Sequence, residues 1–263
     1  MQKSFKVAAL AGAAALICGG AQAAPVNGTG NVTPNAIFGS GNANGSYTGE
    51  TRNNIEVGLR GKQRFPAANI FNYDGDRTYT FDSTVLTTNP ANRSVFNLEW
   101  SINVDQSGTS GAALSDFGYA LSFDTDASDG VNFTTIDPML GAFIGPTGLA
   151  GYFDHSLGDN STANGGGVES SDPADLLANL GLFSVAQQSS SLGFGFSADP
   201  DRPGIYDFKL EVLDKTTLSV LSSADISVVV EPAPVPAALP LMLAGVGVFG
   251  FVARRKAKAK AAA

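Results

Sequence analysis

Between Gly204 and Asp214 apolar and charged residues take turns: Ile205, Tyr206, Asp207, Phe208, Lys209, Leu210, Glu211, Val212. A period of two is the period of a strand, whose successive side chains point to opposite faces; on a helix it would scatter the apolar residues all round the axis. This stretch therefore demands a sheet with one face packed and one face wet. Lys215-Thr216-Thr217 supplies a turn, and Leu218 to Val230 reads as the returning strand.

Short runs of the same kind recur at Ile55 to Arg60, Thr78 to Leu86, Ser94 to Val104, Phe117 to Phe123, Leu182 to Ala186 and Leu192 to Phe196. Turn-forming clusters separate them: Asp74-Gly75, Asn89-Pro90, Ser107-Gly108, Asp129-Gly130, Gly165-Gly166-Gly167 and Pro203-Gly204. Many short strands joined by polar loops predict an all-β fold, an antiparallel β-sandwich of jelly-roll or immunoglobulin-like kind. One helix interrupts it. Asp172 can cap its start, Pro173 suits its first position and Gly181 lies beyond its end, so a helix is expected over 173–180. The stretch from Asp137 to Gly167 is long, rich in glycine and without period, and is where a binding surface is expected.

The two ends read as targeting segments. Lys3 and Lys6 precede an apolar run from Val7 to Ile17, and Ala21-Gln22-Ala23 gives the small-x-small pattern that signal peptidase reads, so residues 1–23 form a signal helix cut after Ala23. The single cysteine, Cys18, follows Ile17, whereas a lipobox wants a small residue there; it leaves with the signal. The exported body then has no disulfide, no thiolate nucleophile and no thiolate-bound zinc to rely on. At the other end the chain is uncharged from Val235 to Ala253, followed by Arg254, Arg255, Lys256, Lys258 and Lys260. At about 1.5 Å per residue this run sits at the short end of what crosses a hydrocarbon core of about 30 Å. Pro236 and Pro240 are tolerable only at the entry of such a transmembrane helix, and the basic flank is retained in the cytoplasm. Four segments follow: signal peptide 1–23, irregular arm 24–54, β-domain 55–231, and C-terminal segment 232–263.

The phrase Val235-Pro236-Ala237-Ala238-Leu239-Pro240, followed by one apolar helix and a basic end, resembles the PEP-CTERM class of sorting signals, in the variant that reads Val-Pro-Leu-Pro-Ala. The chain departs from the commonest variants at Ala233-Pro234-Val235-Pro236, where those carry Glu-Pro or Leu-Pro. The resemblance implies an exosortase-type membrane enzyme as processing partner. It also implies an inner-membrane-anchored intermediate with its C-terminus in the cytoplasm, a final place at the cell surface or outside, and extracellular polysaccharide as a partner. Ser184-Val185-Ala186-Gln187-Gln188-Ser189, the aromatic alternation of Phe194 and Phe196, and Pro203-Gly204-Ile205-Tyr206-Asp207-Phe208 resemble the body of exported proteins with the same signal, with Gln188 where Asn is usual. That second resemblance carries no activity.

Charge and side-chain supply narrow the chemistry. Residues 24–231 hold all 24 acidic residues against nine basic ones, a net charge of −15, which speaks against nucleic acid and anionic lipid as partners. His155 is the only histidine, so neither a zinc hydrolase nor an ordinary triad is well supplied, and a loop or core role is expected for it. Gly245-Val246-Gly247-Val248-Phe249-Gly250 spells a dinucleotide-binding glycine pattern but sits in the membrane run, with no strand before it. Paired carboxylates could serve a glycoside hydrolase, yet the glutamates are few, and Trp100, the only tryptophan, lies in an alternating strand where core packing is expected. Calcium has one candidate loop. Asp124, Asp126 and Asp129 place oxygens along a turn that ends at Gly130, although the EF-hand spacing is not met. The function expected is an exported, non-catalytic protein of the cell envelope or matrix; the alternative is a secreted carbohydrate-binding module or carboxylate-dependent glycoside hydrolase.

Overall fold

The computed structural model describes residues 26–65, 67–83, 94–140, 155–192 and 202–233. Its strands are β1 (Val26–Gly30), β2 (Tyr47–Arg52), β3 (Ile55–Lys62), β4 (Thr78–Asp82), β5 (Asn97–Asn103), β6 (Phe117–Asp124), β7 (Phe133–Ile136), β8 (Ser156–Gly158), β9 (Val185–Ser191), β10 (Gly204–Asp214) and β11 (Val220–Glu231). A 3-10 turn covers Leu114–Asp116, and one helix, α1, covers Pro173–Leu180. The fold is all-β. Six strands form an antiparallel sheet in the order β1-β2-β3-β5-β9-β8, and five form a second sheet in the order β4-β11-β10-β6-β7.

The second sheet is mixed, which corrects the expectation of a wholly antiparallel arrangement: β4 runs parallel to β11, with Val228 beside Tyr79 and Val230 beside Phe81. Local alternation says which face a residue takes, but the direction of a neighbour separated by most of the chain is a matter of topology. The hairpin of β10 and β11 has the register its alternation demands, Phe208 opposite Ile226 and Leu210 opposite Ala224, with both strands burying alternate residues.

Both sheets supply one hydrophobic core. Val57, Leu59, Leu98, Trp100 and Ile102 come from the six-stranded sheet, and Tyr79, Phe81, Leu121, Phe208, Ile226 and Val228 from the five-stranded one. Phe96 stacks on Phe81 at 5.7 Å between ring centroids and meets Phe208 edge-on at 6.0 Å. Each such side chain, fully buried, contributes about 1.5–3 kcal/mol. Gly61 matters here, because a Cβ at that position would lie 3.0 Å from the Phe81 ring and 3.1 Å from Tyr79 Cβ.

The helix forms over the expected residues, with Asp172 Oδ1 accepting from the backbone N–H of Ala174 and Asp175 and with Leu176 and Leu180 turned to the core. Leu182 and Phe183 donate to Asn179 O and close the helix end, so the strand expected from Leu182 begins instead at Val185. The stretch 24–54, expected as an irregular arm, supplies β1 and β2, and the Asp137–Gly167 stretch supplies β8. Their glycines and polar residues hide a strand pattern that pairing with neighbours makes usable. Among the described residues no helix is long and apolar enough to cross a membrane. The expected signal helix and transmembrane helix lie outside the described residues.

Candidate functional site

The outer face of the six-stranded sheet should have been wet. On β3 it carries Glu56, Arg60 and Lys62, and on β5 it carries Asn97, Glu99, Ser101 and Asn103, yet all of these are buried. The cause is a cover made by the segment between β1 and β2, held down by the polar side chains beneath it. Gln187 accepts from Ile37 N–H at 2.7 Å and donates to Asn35 O at 2.8 Å and to Ser101 Oγ at 3.0 Å. Asn103 donates to Thr33 O at 3.1 Å, and Glu56 accepts from Thr33 N–H at 2.6 Å. Burial raises the Glu56 pKa above its ordinary value, against the lowering effect of the Thr33 hydrogen bonds.

Under this cover lies an ion cluster. Glu99, fully buried, accepts from Arg60 Nε at 2.6 Å and is also paired with Lys62 Nζ. Arg60 further donates to Gly45 O at 2.6 Å, and its guanidinium lies between the Tyr47 ring at 4.1 Å and the Phe71 ring at 4.4 Å. Stacking on rings suits a planar, weakly hydrated cation removed from water. Lys62 also donates to Asn42 Oδ1 at 2.6 Å and stands 5.5 Å from the centroid of the Phe38 ring. Burial pulls the Lys62 ammonium below its ordinary pKa, and the Glu99 carboxylate opposes that fall.

Lys62 also lines a cleft of about 400 Å³, together with Asn42, Arg64, Glu169, Gln188 and Ser189. One wall is the 38–42 loop, in which Gly39 and Gly41 take left-handed φ values of 66° and 83°. The loop is tied internally by Asn42 Nδ2, which donates to Gly39 O at 2.9 Å and also to Phe38 O. The glycine run expected as a turn buttresses it: Gly165 N–H donates to Ala36 O at 3.1 Å and Gly167 N–H to Ile37 O at 3.0 Å. Volume and lining suit a small polar ligand. The arrangement offers cations and hydroxyls to it, and Ser156 brings the Asp137–Gly167 stretch into its wall.

The residues singled out from sequence are placed as follows. Asp124 Oδ1 accepts from the N–H groups of Asp126 and Asn132, both at 2.9 Å, and Asp126 Oδ1 accepts from Ser128 N–H at 3.0 Å. These carboxylates organise their own loop, and among the described residues no three acidic, imidazole or thiol side chains gather as a metal-ligand group. Asp129 lies in the same loop. His155 is buried, edge-on to Trp100 at 5.4 Å, with its Nε2 hydrogen-bonded to Pro138 O. Burial holds its pKa below the ordinary value, partly opposed by the Pro138 bond. Glu50 accepts from Ser223 N–H at 2.9 Å, so Glu50, Glu56 and Glu99 each have their own partners. Ala21, Ala23, Val235, Pro236, Ala237, Ala238, Leu239, Pro240, Arg254, Arg255 and Lys256 lie outside the described residues.

The cleft escaped sequence reasoning because alternation over Ile55 to Arg60 leaves Arg60 on a face open to water and Lys62 lies beyond the expected strand. The one available signal was the clustering of three of the body's nine basic residues, Arg60, Lys62 and Arg64, at alternate positions in a strongly acidic body. Comparison with protein-family models, with curated proteins and with solved structures finds no match.

Proposed function

We propose that this chain is an exported, non-catalytic protein of the cell envelope or extracellular matrix, delivered by its signal peptide and sorted through its C-terminal segment by an exosortase-type enzyme. The observation that carries this reading is the order Val235 to Pro240, uncharged run to Ala253, then Arg254-Arg255-Lys256. A plain anchor has no use for the proline phrase, whereas a processing enzyme needs a mark beside the helix. A two-sheet body of β-sandwich type, jelly-roll or immunoglobulin-like, suits such a role: it folds on a core without disulfides and offers broad faces for contact. The test is intact mass of the protein from a host with and without a functional exosortase. The expected result is loss of the helix and basic end only where the enzyme is present. An identical full-length tail in both hosts overturns the reading.

A second reading, a carbohydrate-binding module, is favoured by one observation, the polar cleft of about 400 Å³ beside Lys62. Screening the protein on immobilised glycans tests it; absence of reproducible binding to any glycan counts against it.

A further inference from the structure

The ion cluster on the outer face of the six-stranded sheet is out of balance. Arg60 and Lys62 are two cations sharing one carboxylate, Glu99, and all three are buried. Burying a charge without a partner is costly, and buried ions are ordinarily paired. Among the described residues one positive charge of the cluster is left over, in a body whose net charge is −15.

The excess faces the cleft. Lys62, 3 % exposed, spends two of its three donors on Glu99 and Asn42, and among the described residues its third has no partner. Arg64, two residues on along an extended chain and so about 7 Å away on the same side, lines the same cleft, is exposed and makes no ion pair among the described residues. Among the described residues Glu169 is the single acidic group in the lining. The remaining lining is of a different kind. Ser40, Ser156 and Ser189 bring hydroxyls and Phe38 brings an apolar ring, while the Asn42 amide is spent on Phe38 O, Gly39 O and Lys62.

We propose that this cleft binds a carboxylate-bearing sugar, a uronic acid residue, with its carboxylate taken by Lys62 and Arg64 and its ring hydroxyls by the serines around them. A carboxylate supplies the missing counter-charge, and a charge-assisted hydrogen bond to a buried ammonium is about twice as strong as a neutral one. Serine hydroxyls match the mixed donor and acceptor character of sugar hydroxyls, and Phe38 can take the apolar face of the ring. The volume admits one or two rings. This inference rests on the carbohydrate-binding reading and adds the charge of the ligand to it.

Isothermal titration of the purified full-length protein tests it, with sodium glucuronate, glucose, and inorganic phosphate and sulfate as separate probes. Glucuronate should bind at least about tenfold tighter than glucose, a difference of one charge-assisted contact. Arg64→Gln should weaken glucuronate by at least about threefold while leaving glucose and the melting temperature unchanged, since Arg64 is exposed. Lys62→Met should abolish the preference for glucuronate; if that variant does not fold, Arg64→Gln decides. Glucose and glucuronate binding equally would overturn the inference and leave the carbohydrate reading standing. Unchanged glucuronate affinity in Arg64→Gln overturns it as well, as does phosphate or sulfate binding as tightly as glucuronate, which would make the cleft a general anion site. No binding by either sugar overturns both readings.

Discussion

Asp105 and His155 show how single buried groups set the response to pH, and they do so in different windows. Asp105 Oδ1 accepts from Asn54 Nδ2 at 2.9 Å and from the N–H groups of Thr109 and Ser110, while Oδ2 accepts from Gly111 N–H at 3.0 Å. Burial would raise its pKa, but these hydrogen bonds from Ser110, Asn54 and Gly111 outweigh it and hold the carboxyl well below the usual carboxylate range. A depressed folded value means stability that is fully present above the unfolded value, about pH 4, and lost progressively as pH falls through the folded one. Asp105→Asn should cost about 2–4 kcal/mol at pH 7, measured by urea unfolding, and the gap to wild type should narrow only below about pH 4. His155 is neutral for the opposite reason, since burial disfavours its charged form. Unfolding frees it to take a proton, so its contribution is present above about pH 6.5 and declines below, with a slope approaching about 1.4 kcal/mol per pH unit. His155→Gln should remove that slope between pH 6.5 and 5, and its persistence would assign the effect elsewhere. A sequence with one histidine and many aspartates shows neither behaviour, because each depends on what the fold places around the group.

Elements were legible where their signal is local. The α1 cap at Asp172 and the alternation of β10 and β11 are each contained within a dozen residues, and the structure has them where the residues say. β1, β2, β7 and β8 were not legible, since strands such as Tyr47–Arg52, Phe133–Ile136 and Ser156–Gly158 are short and take their shape from a neighbour. The cleft was illegible for the same reason: it exists only because the segment between β1 and β2 closes over a polar face. The glycine run illustrates the coupling. Gly165 has φ of +68°, and a Cβ there would lie 2.6 Å from Ser40 N. Read from sequence the run is a turn; in the fold it is the point where two backbones nearly touch. Gly165→Ala should therefore lower stability by about 2–4 kcal/mol in a thermal or urea melt, through left-handed strain and a backbone clash together. The same change at Gly75, whose φ is +92° with open space around it, meets the strain without the clash and should cost less.

For the whole molecule the decisive fact is where the last strand sits. β11 is interior to its sheet, with β10 on one side and β4 on the other, and it sends Ala224, Ile226, Val228 and Val230 into the core. The chain thus cannot finish its core until residue 231 is in place, although β4 was made long before. Pro232 follows at once, and with no N–H to donate it cannot prolong the ladder. At the other end β1 starts at Val26, just past the expected cut after Ala23. The folded body and the expected processing sites are therefore adjacent without overlapping, and a sorting enzyme acting near Val235 would meet an already completed domain. Two truncations test this. A chain ending at Ala233 should melt cooperatively within about 3 °C of the full-length protein. A chain ending at Ser219 loses β11, strands β4 at an unpaired edge and opens the core, so it should show no cooperative transition. A cooperative melt in the shorter chain would mean that the six-stranded sheet with its polar cover folds alone, and cleavage before Glu231 would then be compatible with a stable product.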